Sequence, residues 1–204
     1  PRSHDHGQGR LRQGGNCCYP FYSTDTLLAR GLHEFSYNAG FLRRGFGTES
    51  NDYGGFAASF FHNYGLTDSI TIGVRGEDLS DLVNAGPRMS WLIRRYGTLG
   101  LSAAASLSRD TRAGYATSLG YTYQPRNASL RLLYNRYTRE YATISTRTTD
   151  DRTRSELGAA VGYGTSRLGS ISFDFAAISR YTAPDSERYT LRYSRAVTRD
   201  ANVY

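Results

Sequence analysis

Ser170-Ile171-Ser172-Phe173-Asp174-Phe175-Ala176-Ala177 alternates without a break. Ile171, Phe173, Phe175 and Ala177 fall on one side, with Ser170, Ser172, Asp174 and Ala176 on the other. Successive side chains of a strand point to opposite faces, so this period of two specifies a strand with an apolar and a polar face. The phase lapses at Ile178-Ser179. A bulge, an apolar side chain turned to the polar face, and the approach to a loop all fit that lapse.

The same alternation recurs outward along the chain. Leu157, Ala159, Val161 and Tyr163 oppose Gly158, Ala160, Gly162 and Gly164. Leu101, Ala103, Ala105 and Leu107 oppose Ser102, Ala104, Ser106 and Ser108; Ile70, Ile72 and Val74 oppose Thr71, Gly73 and Arg75. Tyr115, Thr117, Leu119, Tyr121 and Tyr123 oppose Ala116, Ser118, Gly120 and Thr122. A soluble β-sandwich alternates too. The connections separate the two readings. Gly65–Asp68, Tyr96–Gly100, Gln124–Asn127, Ser166–Gly169 and Thr198–Ala201 read as short turns, whereas Arg44–Asp52, Glu77–Ala85, Arg109–Gly114, Thr143–Arg154 and Thr182–Arg188 read as longer charged loops. Short turns at one rim and long loops at the other are the arrangement of a transmembrane β-barrel. Strands of about 9–11 residues fit a tilted crossing of a bilayer. The expected fold class is therefore all-β, an antiparallel transmembrane β-barrel of about ten strands with the start of another at Ala201–Tyr204.

Composition agrees. The chain holds 17 tyrosines, 9 phenylalanines and 22 glycines beside one tryptophan, and all 25 basic residues are arginine. Tyr64, Tyr96, Tyr121, Tyr123 and Tyr163 gather near the short turns, as in an interfacial girdle. A mean hydropathy of -0.54 suits a wall that shows only alternate residues to lipid, and no apolar run reaches the roughly 18 residues of a spanning helix. The net charge of +7 raises nucleic-acid binding, which needs a basic stripe. Here the arginines are dispersed over strand ends and loops, often beside Asp or Glu, so no nucleic-acid partner is expected. Loop arginines can face anionic headgroups, and Arg75, Ser102, Ser106, Ser172 and Asp174 are the candidates to face a lumen.

Enzyme and cofactor signatures are sparse. Gly162-Tyr163-Gly164-Thr165 lacks the lysine of a phosphate loop, and its glycines alternate on a strand. His33 and His62 have no evident nucleophile in sequence, and Asp150-Asp151 sits among Arg147, Arg152 and Arg154. Asn127-Ala128-Ser129 matches a glycosylation acceptor but falls in a turn expected on the periplasmic side. His4-Asp5-His6 has no third ligand fixed in space, and Cys17-Cys18 are adjacent without zinc spacing. Gly7–Gly15 resembles an arginine-rich tail but has no aromatics for stacking. No catalytic residue, metal or cofactor is expected.

A family resemblance adds to this reading. Tyr19-Pro20-Phe21-Tyr22, Thr26–Gly31, Phe35–Arg43, Ser50–Gly54 and Tyr64–Asp68, then Gly97–Ser102, Leu133-Tyr134-Asn135 and Arg167–Ser172, follow one another in the order and spacing of the fimbrial outer-membrane ushers. Residues 19–204 resemble the usher barrel segment that follows the plug domain. The resemblance implies the outer membrane of a Gram-negative bacterium as location, outer-membrane lipid around the wall, and pilus subunits delivered by a periplasmic chaperone as partners. A porin-like channel and a soluble β-sandwich binding module are the alternatives. A chain broken off in mid-strand implies a piece of a larger barrel, since an open edge cannot face lipid.

Pro1–Cys18 departs from the usher pattern: it is rich in Gly, Arg and His without alternation. Reading the codons of His6–Asn16 one base later permits Thr-Val-Lys-Asp-Ala-Ser-Gly-Lys-Val-Val-Thr, a segment of the type an usher carries there. This stretch is therefore expected to be an out-of-frame product, which the coding DNA decides.

Overall fold

The computed structural model describes residues 27–43, 53–108, 111–143, 152–165, 169–198 and 201–203. The irregular segment 1–18, its histidines and its cysteines lie outside the described residues, as do 19–26, the Asp150-Asp151 pair and the connection at 44–52. The described residues form ten long strands and one short one: β1 His33–Arg43, β2 Tyr53–Thr67, β3 Ile70–Leu79, β4 Leu82–Ile93, β5 Gly97–Ser108, β6 Thr111–Tyr123, β7 Ala128–Tyr137, β8 Thr153–Thr165, β9 Gly169–Arg180, β10 Ser186–Thr198 and β11 Ala201–Val203. They pair in sequence order in one antiparallel sheet, β1 to β11. A sandwich requires two facing sheets; the described residues make one. Among them no helix is long and apolar enough to cross a membrane.

β1 to β10 are 10 to 15 residues long, well beyond the roughly 5–6 of an ordinary globular strand. At about 3.3 Å per residue each reaches 30 Å or more. Sequential pairing brings alternate connections to opposite rims. One rim carries residues 68–69, 94–96, 124–127, 166–168 and 199–200, all short. The other carries 44–52, 80–81, 109–110, 138–152 and 181–185.

Two expectations need correction here. Glu77–Ala85 is not a long loop: β3 runs to Leu79, β4 starts at Leu82, and Leu79 pairs with Leu82 across a two-residue turn. Arg109–Gly114 likewise shrinks to residues 109–110, because β6 begins at Thr111. In the first of these places Glu77 and Asp78, which resemble a loop by composition, are held in the ladder opposite Asn84 and Val83. The asymmetry between rims survives in 44–52, 138–152 and 181–185. Two short turns also shift, to 68–69 and 94–96.

The lapse at Ile178-Ser179 resolves in favour of an apolar side chain on the polar face. Ile178 pairs with Glu156 on one side and Ser186 on the other. The ladder shifts one step later, between Thr153 and Ser155 of β8.

β4 contains Pro87, which has no N–H to give a ladder. The sheet accommodates it at a break: β4 and β5 pair at Ala85↔Ala105 and again at Arg88↔Ser102, with Gly86 and Pro87 skipped. On the β3 side pairing continues through Val74↔Pro87.

Candidate functional site

Residues paired across antiparallel strands share a face, so the register sorts every side chain. One face carries Tyr37 and Phe60 on β1–β2, Ile72 and Met89 on β3–β4, Leu101 and Leu119 on β5–β6, then Tyr134, Leu157 and Ala177 on β7–β9. Phe173 sits on it between Val161 and Leu191. These side chains are exposed: Tyr37 62%, Phe173 44%, Val161 50%, Leu191 69%. Tyr64, Trp91, Tyr121, Tyr123 and Tyr163 share the face toward the short-turn rim, and the Tyr121 hydroxyl donates to the Tyr96 carbonyl.

The other face is polar and holds the most deeply buried side chains, including Asn135, Asn84 and Ser106. A soluble domain buries its large apolar groups and exposes its polar ones; here the distribution is reversed. One row crosses eight strands through Glu34, Asn63, Gly73, Arg88, Ser102, Ser118, Asn135 and Glu156. Asn63 Nδ2 donates to Glu34 Oε2 at 2.8 Å, and Arg88 Nε donates to Asn63 Oδ1. Arg88 reaches Asn63 across β3 because the residue between them is Gly73; a Cβ there would overlap Asn63 Oδ1. The Arg88 guanidinium also lies 5.3 Å from the Phe61 ring centre. At the far end Asn135 Nδ2 donates to Glu156 Oε2 at 2.9 Å, and the Tyr137 hydroxyl reaches the same oxygen at 3.3 Å.

All five residues singled out from the sequence fall on this polar face, but not in one place. Arg75 forms an ion pair with Glu77 at 2.6 Å, and both line a cavity of about 200 Å³ with Asn38, Ser59 and Arg88. Ser172 and Asp174 line another, of about 240 Å³, with Thr122, Ser129 and Arg131. Ser102 lies in the polar row between Arg88 and Ser118.

Ser106 has a different surrounding: residues 138–143 of the long connection fold inward over it. The Ala142 amide donates to Ser106 Oγ at 3.0 Å. Asn84 Nδ2 donates to the Tyr141 hydroxyl at 3.0 Å and to the Ala142 carbonyl at 3.3 Å. Tyr141 packs on Ala104, Ala116 and Tyr137, and Ala142 on Leu79 and Leu82. The strap passes so close over Gly114 that a Cβ there would overlap the Tyr141 backbone. Burial pushes the Tyr141 phenol up from its ordinary pKa, so the docked ring stays neutral.

Asn84, Arg88, Asn135, Glu156 and Tyr141 are the residues that sequence reading missed. The signal for the first two was present, since Val83, Ala85, Pro87, Met89 and Trp91 alternate with Asn84, Gly86, Arg88 and Ser90; assigning Glu77–Ala85 to a loop hid it. Among the described residues no group of three His, Cys, Asp or Glu side chains is placed to hold a metal.

One antiparallel sheet of long strands, apolar and exposed on one side, polar and cross-bonded on the other, defines the wall of a β-barrel. No protein-family model matches the chain, and no curated protein does. Among solved structures, the translocation pore of the P pilus usher PapC matches with a TM-score of 0.69 and 14% identity, over 85% of this chain and 37% of that one. The likeness is one of fold. The chain spans little more than a third of the pore's length, and its strands have the arrangement of an usher barrel.

Proposed function

We propose that this chain is a segment of an outer-membrane usher, part of the pore through which chaperone-delivered pilus subunits are secreted and assembled. The observation that carries the reading is the reversed distribution of polarity over ten strands, on a fold shared with an usher pore. The apolar face turns to outer-membrane lipid and the polar face to a wet lumen. Buried oxygens such as Ser102 Oγ, Ser118 Oγ, Asn135 Oδ1 and Asp174 Oδ2, which have no protein partner among the described residues, suit a lumen because water there can meet them; each left unmet costs about 1–3 kcal/mol.

The wall performs no covalent chemistry. Subunits join by donor-strand addition, in which main-chain hydrogen bonds and side-chain pockets supply the free energy. The wall admits and orients them along a surface rich in Ser, Gly, Asn and Arg.

Photo-crosslinking tests this in the full-length protein during fibre assembly. A benzophenone amino acid at Ser172 is expected to capture a fibre subunit, and one at Phe173 is expected to capture none. Solute conductance with no subunit captured from either position would favour a porin-like channel.

A further inference from the structure

We propose that the short-turn rim binds the phosphates of anionic lipid headgroups through Arg94, Arg95 and Arg126. The inference rests on the membrane reading above and names the lipid chemistry at one rim. All three arginines are exposed, and none has a hydrogen bond or ion pair among the described residues. Arg94 and Arg95 occupy the β4–β5 turn, and Arg126 the β6–β7 turn. Two strand spacings separate these turns, about 10 Å, so a few headgroups can span them.

The charge is one-sided. Among the described residues the short connections contain Arg94, Arg95 and Arg126 against Asp68. The described parts of the opposite rim's connections contain Arg139 and Arg152 against Asp81, Glu140 and Asp185. Asp68 is engaged, its Oδ1 accepting from the Arg30 amide at 3.1 Å.

A second observation is conformational. Arg95 has a φ of 67°, alone among the described non-glycine residues in being positive. Arg95 is the middle residue of a three-residue hairpin loop closed by Ile93 and Gly97, a place where glycine or asparagine takes that conformation with less strain. Backbone strain kept at one position is a pointer to function. The adjoining apolar face says which partner is favoured. Trp91, Leu99 and Tyr121 are paired neighbours on it just above the turn, the belt that settles at headgroup level. Arginines one turn beyond such a belt meet phosphate before they meet another protein.

Trp91 is the chain's one tryptophan and lies three residues from Arg94, so it reports on this rim. The experiment uses the full-length protein with Trp91 as its sole tryptophan, reconstituted with brominated phosphatidylglycerol or brominated phosphatidylcholine as quencher. Each arginine near an anionic surface strengthens binding about fivefold. The wild type is therefore expected to favour the glycerol lipid at least fivefold, with the ratio falling to about one in Arg94→Gln/Arg95→Gly/Arg126→Gln and at high salt. Arg95→Gly alone is expected to reduce the preference while leaving the folded fraction unchanged or higher. Equal quenching by both lipids, unaltered in the triple variant, overturns the proposal and directs these arginines to an acidic protein surface. Quenching by neither lipid overturns the membrane reading itself.

Discussion

Phe173→Arg is expected to abolish assembly of the full-length protein into the outer membrane, while Ser172→Arg, one residue away, leaves assembly intact. Phe173 is on the exposed apolar face between Val161 and Leu191. A charge on the lipid face near the bilayer midplane costs about 2–4 kcal/mol, and the neighbouring apolar side chains offer it no partner. Ser172 faces the other way, between Gly162 and Arg192, with Asp174 two residues along the same face. An arginine there enters a polar, cavity-lined surface. Leu157→Arg, on the apolar face beside Tyr134 and Ala177, is expected to behave as Phe173→Arg does. The fraction of protein that migrates as a heat-modifiable folded species in outer-membrane extracts measures each effect. Equal tolerance at both faces contradicts the assignment of the faces.

Gly86→Val is the second variant with a large expected effect. Gly86 is buried on the polar face, where the β4–β5 ladder is interrupted beside Pro87. A Cβ there would overlap the Ala103 carbonyl and crowd the Ala104 backbone. Backbone on both sides belongs to paired strands and cannot move aside as a flexible side chain would. Overpacking of this kind costs about 1–3 kcal/mol and occasionally more, and valine, branched at Cβ, falls at the upper end. The urea midpoint for loss of the folded species is expected to fall sharply. Gly158→Val, where the nearest atom to an added Cβ is Leu133 Cβ at 3.7 Å, is the control expected to change it little.

How much of this was legible in the sequence depended on the distance over which a feature is determined. β9 was readable because its alternation is local, and so was the orientation of Ser172 and Asp174. The β3–β4 hairpin was obscured because Glu77, Asp78 and Asp81 together have the composition of a loop. Glu77 is instead tied to Arg75 two residues back on the same face, which keeps an acidic residue in a strand. Arg88 was hidden by the same misreading and by Pro87, which ordinarily argues against a central strand.

The inward strap was beyond sequence reading altogether. Tyr141 and its partner Asn84 are 57 residues apart, and nothing in the run Thr138–Thr143 marks it as buried. Likewise Gly73 reads as a weak strand residue until the register places it between Asn63 and Arg88. The resemblance to ushers came from the order of many short pieces, and the fold of the PapC pore agrees with it.

The most direct test of the central claim, that the exposed apolar face meets lipid and the polar face meets water, is a spin-label scan of β9. Labels placed singly at residues 170 to 177 of the full-length protein in a bilayer, with Cys17 and Cys18 replaced, would be tested for collision with oxygen and with a water-soluble nickel chelate. The account predicts a period of two, with oxygen favoured at 171, 173 and 175 and nickel at 170, 172 and 174. Nickel access at every position, with no alternation, would contradict it.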